Sequence, residues 1–170
     1  MNTYLPENVH DALCAQYNFE RESAAKYESI ASAFEDVNWG GFAHWMHKQA
    51  EEELTHAKRF FEYLADRNAT IYVRELPTPL EFNGDDFLGN FEAALEHETI
   101  VTKNLSNITR LALDMNDFMT FELMQWFLHE QVEEEATLVQ IISDMNHGNC
   151  PASIIIIDRE LAKRYSAQTR

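Results

Sequence analysis

Residues 52–56 read Glu-Glu-Leu-Thr-His, and inside them Glu53 and His56 form an E-x-x-H step. A carboxylate three residues before an imidazole lies on the same helix face, so both can reach one cation. This is the ligand step of helix bundles that hold a pair of metal ions in their core. Alone it fits a solvated helix face equally well, since Glu and His are both tolerated there. What decides between the two readings is where the other glutamates fall.

Working outward, a helix from about Phe42 to Asp66 surrounds the step, with Phe42, Trp45, Met46, Phe60 and Leu64 as its apolar face. Gln49, Glu53 and His56 interrupt that face. Before it, a first helix starts near Pro6 or Asn8 and stops ahead of Gly40-Gly41, striped by Val9, Leu13, Tyr17, Tyr27, Ile30 and Phe34. Glu20 falls on this stripe and projects inward with it. A third helix, about Asp85 to Leu113, carries Phe87, Phe91, Ala94, Val101, Leu105, Ile108 and Ala112 on one face, with Glu98 in their midst. A fourth, from Asn116 or Asp117 to Met145, presents Phe121, Met124, Phe127 or Leu128, Leu138, Ile141 and Met145. Gln131 and Glu134 fill the gap in that face.

Between the second and third helices, Arg67 to Gly84 shows no helical period and contains Pro77 and Pro79. The segment is too long for a tight turn between neighbours. Extended at about 3.3 Å per residue, its roughly 18 residues reach roughly 55 to 60 Å, more than the length of a helix of about 25 residues. It can therefore cross from one helix pair to another. After Met145 a short helix of about residues 151–165 is expected, with Gly148 closing the fourth helix, Asn149 or Cys150 capping the fifth and Pro151 in its first turn. Its run Ile154-Ile155-Ile156-Ile157 is apolar around most of a turn and must bury against either the bundle or another subunit. The fold expected is all-α: one domain over residues 1–170, with a four-helix bundle over about 6–145.

Each long helix thus has a polar interruption near its middle: Glu20, Glu53 with His56, Glu98, and Gln131 with Glu134. An unpaired buried carboxylate costs several kcal/mol, so four on one level need bound cations or protons to compensate them. Oxygen ligands with one nitrogen and no thiolate suit iron or manganese better than structural zinc. In the run Glu133-Glu134-Glu135, Glu135 is assigned to the solvated face.

With 29 acidic against 13 basic residues the formal charge is −16, which argues against a nucleic-acid partner and suits a cation. Cys14 and Cys150 form no C-x-x-C step, and a reducing, cytoplasmic setting fits them. No stretch approaches 18 apolar residues and no export signal opens the sequence, so no membrane association is expected.

The segments Asn18-Phe19-Glu20, Glu52 to His56, Glu96-His97-Glu98, Leu123 to Trp126 and His129 to Glu135 resemble those of the prokaryotic non-haem ferritins. The resemblance extends over nearly the whole chain, the long crossover and short fifth helix included. It implies a ferritin-like fold in which Glu20, Glu53 and His56 hold a first iron, Glu98 and Glu134 a second, and Glu53 bridges them. It further implies that Gln131 hydrogen-bonds near the dioxygen site, that Tyr27 stands beside the first iron, and that Glu52, Glu130 and Glu133 supply a third iron position.

Departures from related families narrow this reading. A bacterioferritin or rubrerythrin would carry a second E-x-x-H, but Val101 and Thr137 stand three residues after Glu98 and Glu134. Leu54 resembles the position of a bacterioferritin's haem-ligating methionine and cannot ligate, so haem is not expected. His10, His44, His47, His97, His129 and His147 match no ligand position. The resemblance implies an iron-storage ferroxidase: Fe²⁺ is oxidised by dioxygen or hydrogen peroxide, and Fe³⁺ is stored as mineral inside a closed homo-oligomeric shell of twenty-four subunits. The alternatives are a non-storage di-iron peroxidase or oxidase of the rubrerythrin or bacterioferritin type, and a non-catalytic interaction module, which would have a dry apolar centre.

Overall fold

A computed structural model describes residues 5–78, 81–148 and 150–164. Five helices follow one another: α1 (Glu7–Asp36), α2 (Gly40–Asp66), α3 (Phe87–Asp114), α4 (Phe118–His147) and α5 (Pro151–Arg164). The described residues contain no strand. Starts and ends differ from the sequence expectation by a turn or less. α2 begins at Gly40 rather than Phe42, and α5 crosses its first turn so closely that a Cβ at Gly41 would run into the Asp158 carbonyl oxygen. α3 starts at Phe87 rather than Asp85, since Asp86 is its N-cap and accepts from the Gly89 N–H; Asp117 does the same for α4 through Thr120. α4 continues to His147, two residues beyond Met145, and Gly148 caps it with an ordinary negative φ of −81°. Asn149, Pro79 and residue 165 lie outside the described residues.

Three helices end on one local device. Asp36-Val37-Asn38, Asp66-Arg67-Asn68 and Asp114-Met115-Asn116 close α1, α2 and α3, and each Asn takes a positive φ of 65°, 53° and 57° in turn. Asn tolerates the left-handed region better than other residues with a Cβ, so it turns the chain out of the helix. Short connections follow α1 and α3, making α1–α2 and α3–α4 two antiparallel hairpins.

The crossover lies along α1. Thr70 O is 2.6 Å from His10 Nε2, Tyr72 O accepts from Asn18 Nδ2 at 2.7 Å, and the Arg74 N–H donates to Asn18 Oδ1 at 2.7 Å. Arg21 closes the series on Arg74 O at 3.1 Å. Numbers rise together on both sides, so the segment climbs in the same direction as α1. It delivers Gly84 so close to the Ala33 carbonyl that no Cβ would fit there. α3 therefore starts beside the carboxyl end of α1 and runs back along it, the long-crossover arrangement of a four-helix bundle.

The apolar core falls into two clusters. One joins Ile30, Phe34, Phe42, Trp45, Phe91 and Leu138 with neighbours that include α5; the other joins Leu13, Phe60, Leu64, Leu105, Met124 and Phe127. Phe91 meets Phe34, Phe42 and Trp45 at centroid separations of 6.0, 5.5 and 5.4 Å, and Phe60 stacks on Phe127 at 4.2 Å. Each such ring contributes roughly 1.5 to 3 kcal/mol through burial. Along each of α1 to α4 the two clusters are separated at the level of the inward glutamates. Tyr17 and Phe121, expected within the core face, are only half-buried. The Ile run divides: Ile154 is buried and Ile157 packs on the first cluster, while Ile155 and Ile156 are exposed. No helix among the described residues is long and apolar enough to cross a membrane.

Candidate metal centre

Between the two apolar clusters, α1 contributes Gln16, Glu20 and Tyr27, α2 Glu53 and His56, α3 Glu98, and α4 Gln131 and Glu134. Glu20 and Glu98 are fully buried, and Glu53, His56, Gln131 and Tyr27 nearly so. Two triads of donors result. Glu20, Glu53 and His56 offer ligand atoms within 4.8 Å of one another, as do Glu53, Glu98 and Glu134. Glu53 belongs to both, so a cation in each triad would share it. His56 is held between the hairpins, its Nδ1 3.4 Å from Glu53 Oε2 and its Nε2 3.6 Å from Glu134 Oε1. Its ring lies edge-on to Trp126 and Phe127, both at 5.7 Å.

Hydrogen bonds fix some carboxylate oxygens and leave others open. The Tyr27 hydroxyl donates to Glu98 Oε1 at 2.6 Å, and Gln131 Nε2 donates to Glu98 Oε2 at 3.0 Å. Gln16 Nε2 donates to Glu20 Oε1 at 2.9 Å. Glu20 Oε2, Glu53 Oε2 and both oxygens of Glu134 are buried and accept no hydrogen bond from any described residue. Native interiors rarely leave such atoms unsatisfied, and a divalent cation among them supplies the missing partner.

The electrostatics agree. Burial, reinforced by Glu53, holds the Glu20 carboxyl well above its usual range. Burial together with Glu98 and Glu134 does the same to Glu53, and burial with Glu98 and Glu52 pushes Glu134 up to about 10. The Tyr27 phenol is likewise raised, by burial first and Glu98 second. Without metal the carboxyls of Glu20, Glu53 and Glu134 hold protons, and a cation exchanges for them. An O-rich set with one imidazole and no thiolate fits hard or borderline divalent ions such as Fe²⁺ and Mn²⁺.

The outer glutamates are placed differently. Glu52 and Glu130 line one recess with Lys48, Glu51, Thr55, His56 and Trp126, and burial, with Glu130 adding to it, raises Glu52. Glu133 is exposed and joins neither triad. Glu135, assigned to the solvated face, is instead half-buried and accepts a hydrogen bond from Thr102, whose hydroxyl also receives Gln131 Nε2 at 3.3 Å. A helix rotates about 100° per residue, so Glu135 flanks inward Glu134 around the helix and packing against α3 draws it in. Tyr27, expected beside the first metal, bonds the carboxylate of the second triad. Of the other histidines, His97 is buried against Phe19 at 5.1 Å and is held at about 4 by that burial, with its Nε2 2.7 Å from Ser23 Oγ. His10 secures the crossover, and exposed His47 lies 3.5 Å from Glu35. Gln16 and Thr102 also bond within the centre, and their one signal in the sequence is a spacing of four residues from the inward glutamates Glu20 and Glu98.

Residues 10–147 match the Ferritin-like domain family. The chain belongs to the ferritin family. Among curated relatives it is 35% identical to the bacterial non-heme ferritin of Staphylococcus saprophyticus and 33% identical to that of Staphylococcus haemolyticus, each over 94% of this chain and 96% of the relative. These matches place it with the prokaryotic non-haem ferritins. Among solved structures, an open-pore ferritin from the hyperthermophilic archaeon Archaeoglobus fulgidus superposes with a TM-score of 0.92 at 34% identity, over 96% of this chain and 99% of that one. A version of that ferritin engineered to a closed form gives a TM-score of 0.91. The ferritin fold accounts for the long crossover, which lets a glutamate from each hairpin reach a shared central level.

Proposed function

We propose that this ferritin stores iron and acts as a ferroxidase, with Fe²⁺ as its substrate. The observation that carries the reading is Glu53: one buried carboxylate common to two ligand triads, each of which includes oxygens that accept no hydrogen bond from any described residue. Fe²⁺ would occupy the triad of Glu20, Glu53 and His56 and the triad of Glu53, Glu98 and Glu134, two per subunit. Anionic oxygen ligands stabilise the higher charge of Fe³⁺, which favours transfer of one electron from each ion to dioxygen or hydrogen peroxide. Gln131 and Tyr27 hold Glu98 in place. Glu52 and Glu130, with Glu133 beyond them, would take up a further iron as it leaves the pair.

Storage requires a closed compartment, and we assign the chain to a homo-oligomeric shell of twenty-four copies in the cytoplasm, each a single ferritin-like domain, without haem, nucleic-acid or membrane partners. Val101, buried among apolar residues, and Thr137 occupy the places where a peroxidase-type site would have its second histidine, which favours storage. The test is native mass combined with iron content after aerobic Fe²⁺ loading. A large closed particle retaining many more than two irons per subunit is expected. A monomer or dimer that oxidises Fe²⁺ but retains two or fewer would overturn storage and leave the oxidase. Glu53→Ala is the companion variant, expected to assemble normally and to lose fast oxidation.

A further inference from the structure

Gln16 is buried, on the inner face of α1 one turn before Glu20. Its amide nitrogen donates to Glu20 Oε1 at 2.9 Å, while Glu20 Oε2, equally buried, accepts nothing. A carboxylate with one oxygen tied and the other open presents a single defined ligand atom. Glu98 is treated otherwise, both of its oxygens being tied, by Tyr27 and Gln131. The second triad therefore has two hydrogen-bonding supports, and the first has Gln16. On its other side Gln16 forms part of the wall of a recess of about 410 Å³ between α1 and α3, shared with Asn18, Glu22, Arg74, Asn104 and Asn107. One amide side chain thus both lines that recess and bonds a fully buried ligand.

We infer that Gln16 is a positioning residue for the first metal position: it fixes Glu20 through Oε1 so that Oε2 faces the cation, and it shields the ligand from the α1/α3 recess. The inference rests on the proposed metal site. Its physical basis is that a ligand held in its bound rotamer loses less freedom when the metal arrives, and that hydrogen bonds to a carboxylate are about twice as strong as neutral ones. Among the described residues no other side-chain N–H is bonded to the Glu20 carboxylate, so without Gln16 it must choose among orientations.

The experiment isolates the first position by working in a Glu134→Ala background, which removes a ligand of the second triad only. Anaerobic Co²⁺ titration of the whole assembled protein, followed by visible absorption, reads affinity and ligand geometry with no turnover. Gln16→Met keeps the volume and deletes the donor; Gln16→Asn keeps the amide but draws it back by one methylene. Both are expected to weaken Co²⁺ binding roughly tenfold, as loss of a supporting partner to a metal ligand typically does, and to change the Co²⁺ band shape. The melting temperature should stay within a few degrees, and in the Glu134-containing protein the Co²⁺ equivalent assigned to Glu98 and Glu134 should bind as before. Unchanged affinity and spectrum in both variants would overturn the inference and leave the metal site standing. Equal weakening of both equivalents would also overturn it, in favour of a purely structural Gln16. Absence of Co²⁺ binding in Glu134→Ala alone would remove the underlying site and the inference with it.

Discussion

The hydroxyl of Tyr27 on α1 donates to Glu98 Oε1 on α3 at 2.6 Å, a bond between the two hairpins at the level where the apolar core is interrupted. It ties a helix of the first triad to a carboxylate of the second. Tyr27→Phe leaves the ring in its edge-on packing with Trp45 at 6.4 Å and removes only the donor. A hydrogen bond to a charged acceptor contributes about 1.5 to 3 kcal/mol, so initial Fe²⁺ oxidation should slow by about tenfold or more while assembly persists. Stopped-flow absorbance measures it. A wild-type rate in a well-assembled Tyr27→Phe protein would show that Gln131 alone suffices to hold Glu98.

The raised carboxyls make the metal-free protein sensitive to alkali. Glu20, Glu53 and Glu134 hold protons in the folded state at pH values where they are ionised in the unfolded chain, so the folded state binds more protons. Stability from these groups is complete near the unfolded carboxyl range and declines as pH rises toward the folded values, which for Glu134 reach about 10. The slope is at most about 1.4 kcal/mol per pH unit for each retained proton. The apo-protein should melt lower at pH 8 than at pH 6, and Zn²⁺ or Co²⁺ should abolish the difference. Scanning calorimetry in chelated buffer checks it; an apo melting temperature that rises from pH 6 to 8 contradicts the protonated reading.

Ile154 is buried against the bundle, whereas Ile155 and Ile156 face outward. Ile154→Asp should lower the stability of the subunit itself by several kcal/mol, because it buries an unpaired charge. Ile155→Asp with Ile156→Asp should spare the subunit fold and weaken the oligomer. Size-exclusion chromatography and thermal melts separate the two effects. An oligomer unchanged by the double substitution would exclude these residues from any subunit contact.

Glu130 lines the recess that reaches His56, and Glu133 does not. Glu130→Ala is therefore expected to keep the initial two-iron oxidation rate, to change the iron consumed per dioxygen, and to slow later turnover, with a smaller effect from Glu133→Ala. Oxygen-electrode stoichiometry is the measurement. Identical ratios in wild type and Glu130→Ala would make the outer glutamates ordinary surface charge.

The main lines of the centre were legible because burial and charge conflict there. Glu20 and Glu98 sit at positions where the apolar stripes of α1 and α3 demand a hydrophobe, and such a contradiction is visible in one dimension. Residues that create no contradiction stayed hidden. Gln16 and Thr102 are polar but neutral, equally suited to a helix surface, and acquire their role only through the partner that packing sets beside them. The same holds for Glu135, whose half-buried place beside Thr102 depends on how α4 is rolled against α3. The helix ends at Asn38, Asn68 and Asn116 were written in the chain as a recurring Asp-x-Asn, yet the fourth copy, Asp144-Met145-Asn146, lies inside α4. Local sequence permits a stop there, and the remainder of the chain determines whether it is used.

The contact of α5 with the start of α2 bears on how the molecule is made. The Phe42 N–H donates to Asp158 Oδ1 at 2.9 Å, across 116 positions of sequence. The opening turn of α2 has no side-chain cap of its own at Trp39, so its amide group is satisfied from the far end of the chain. During synthesis α2 emerges long before Asp158 exists. The first turn of the helix that bears Glu53 and His56 therefore gains this partner only after α5 has been made.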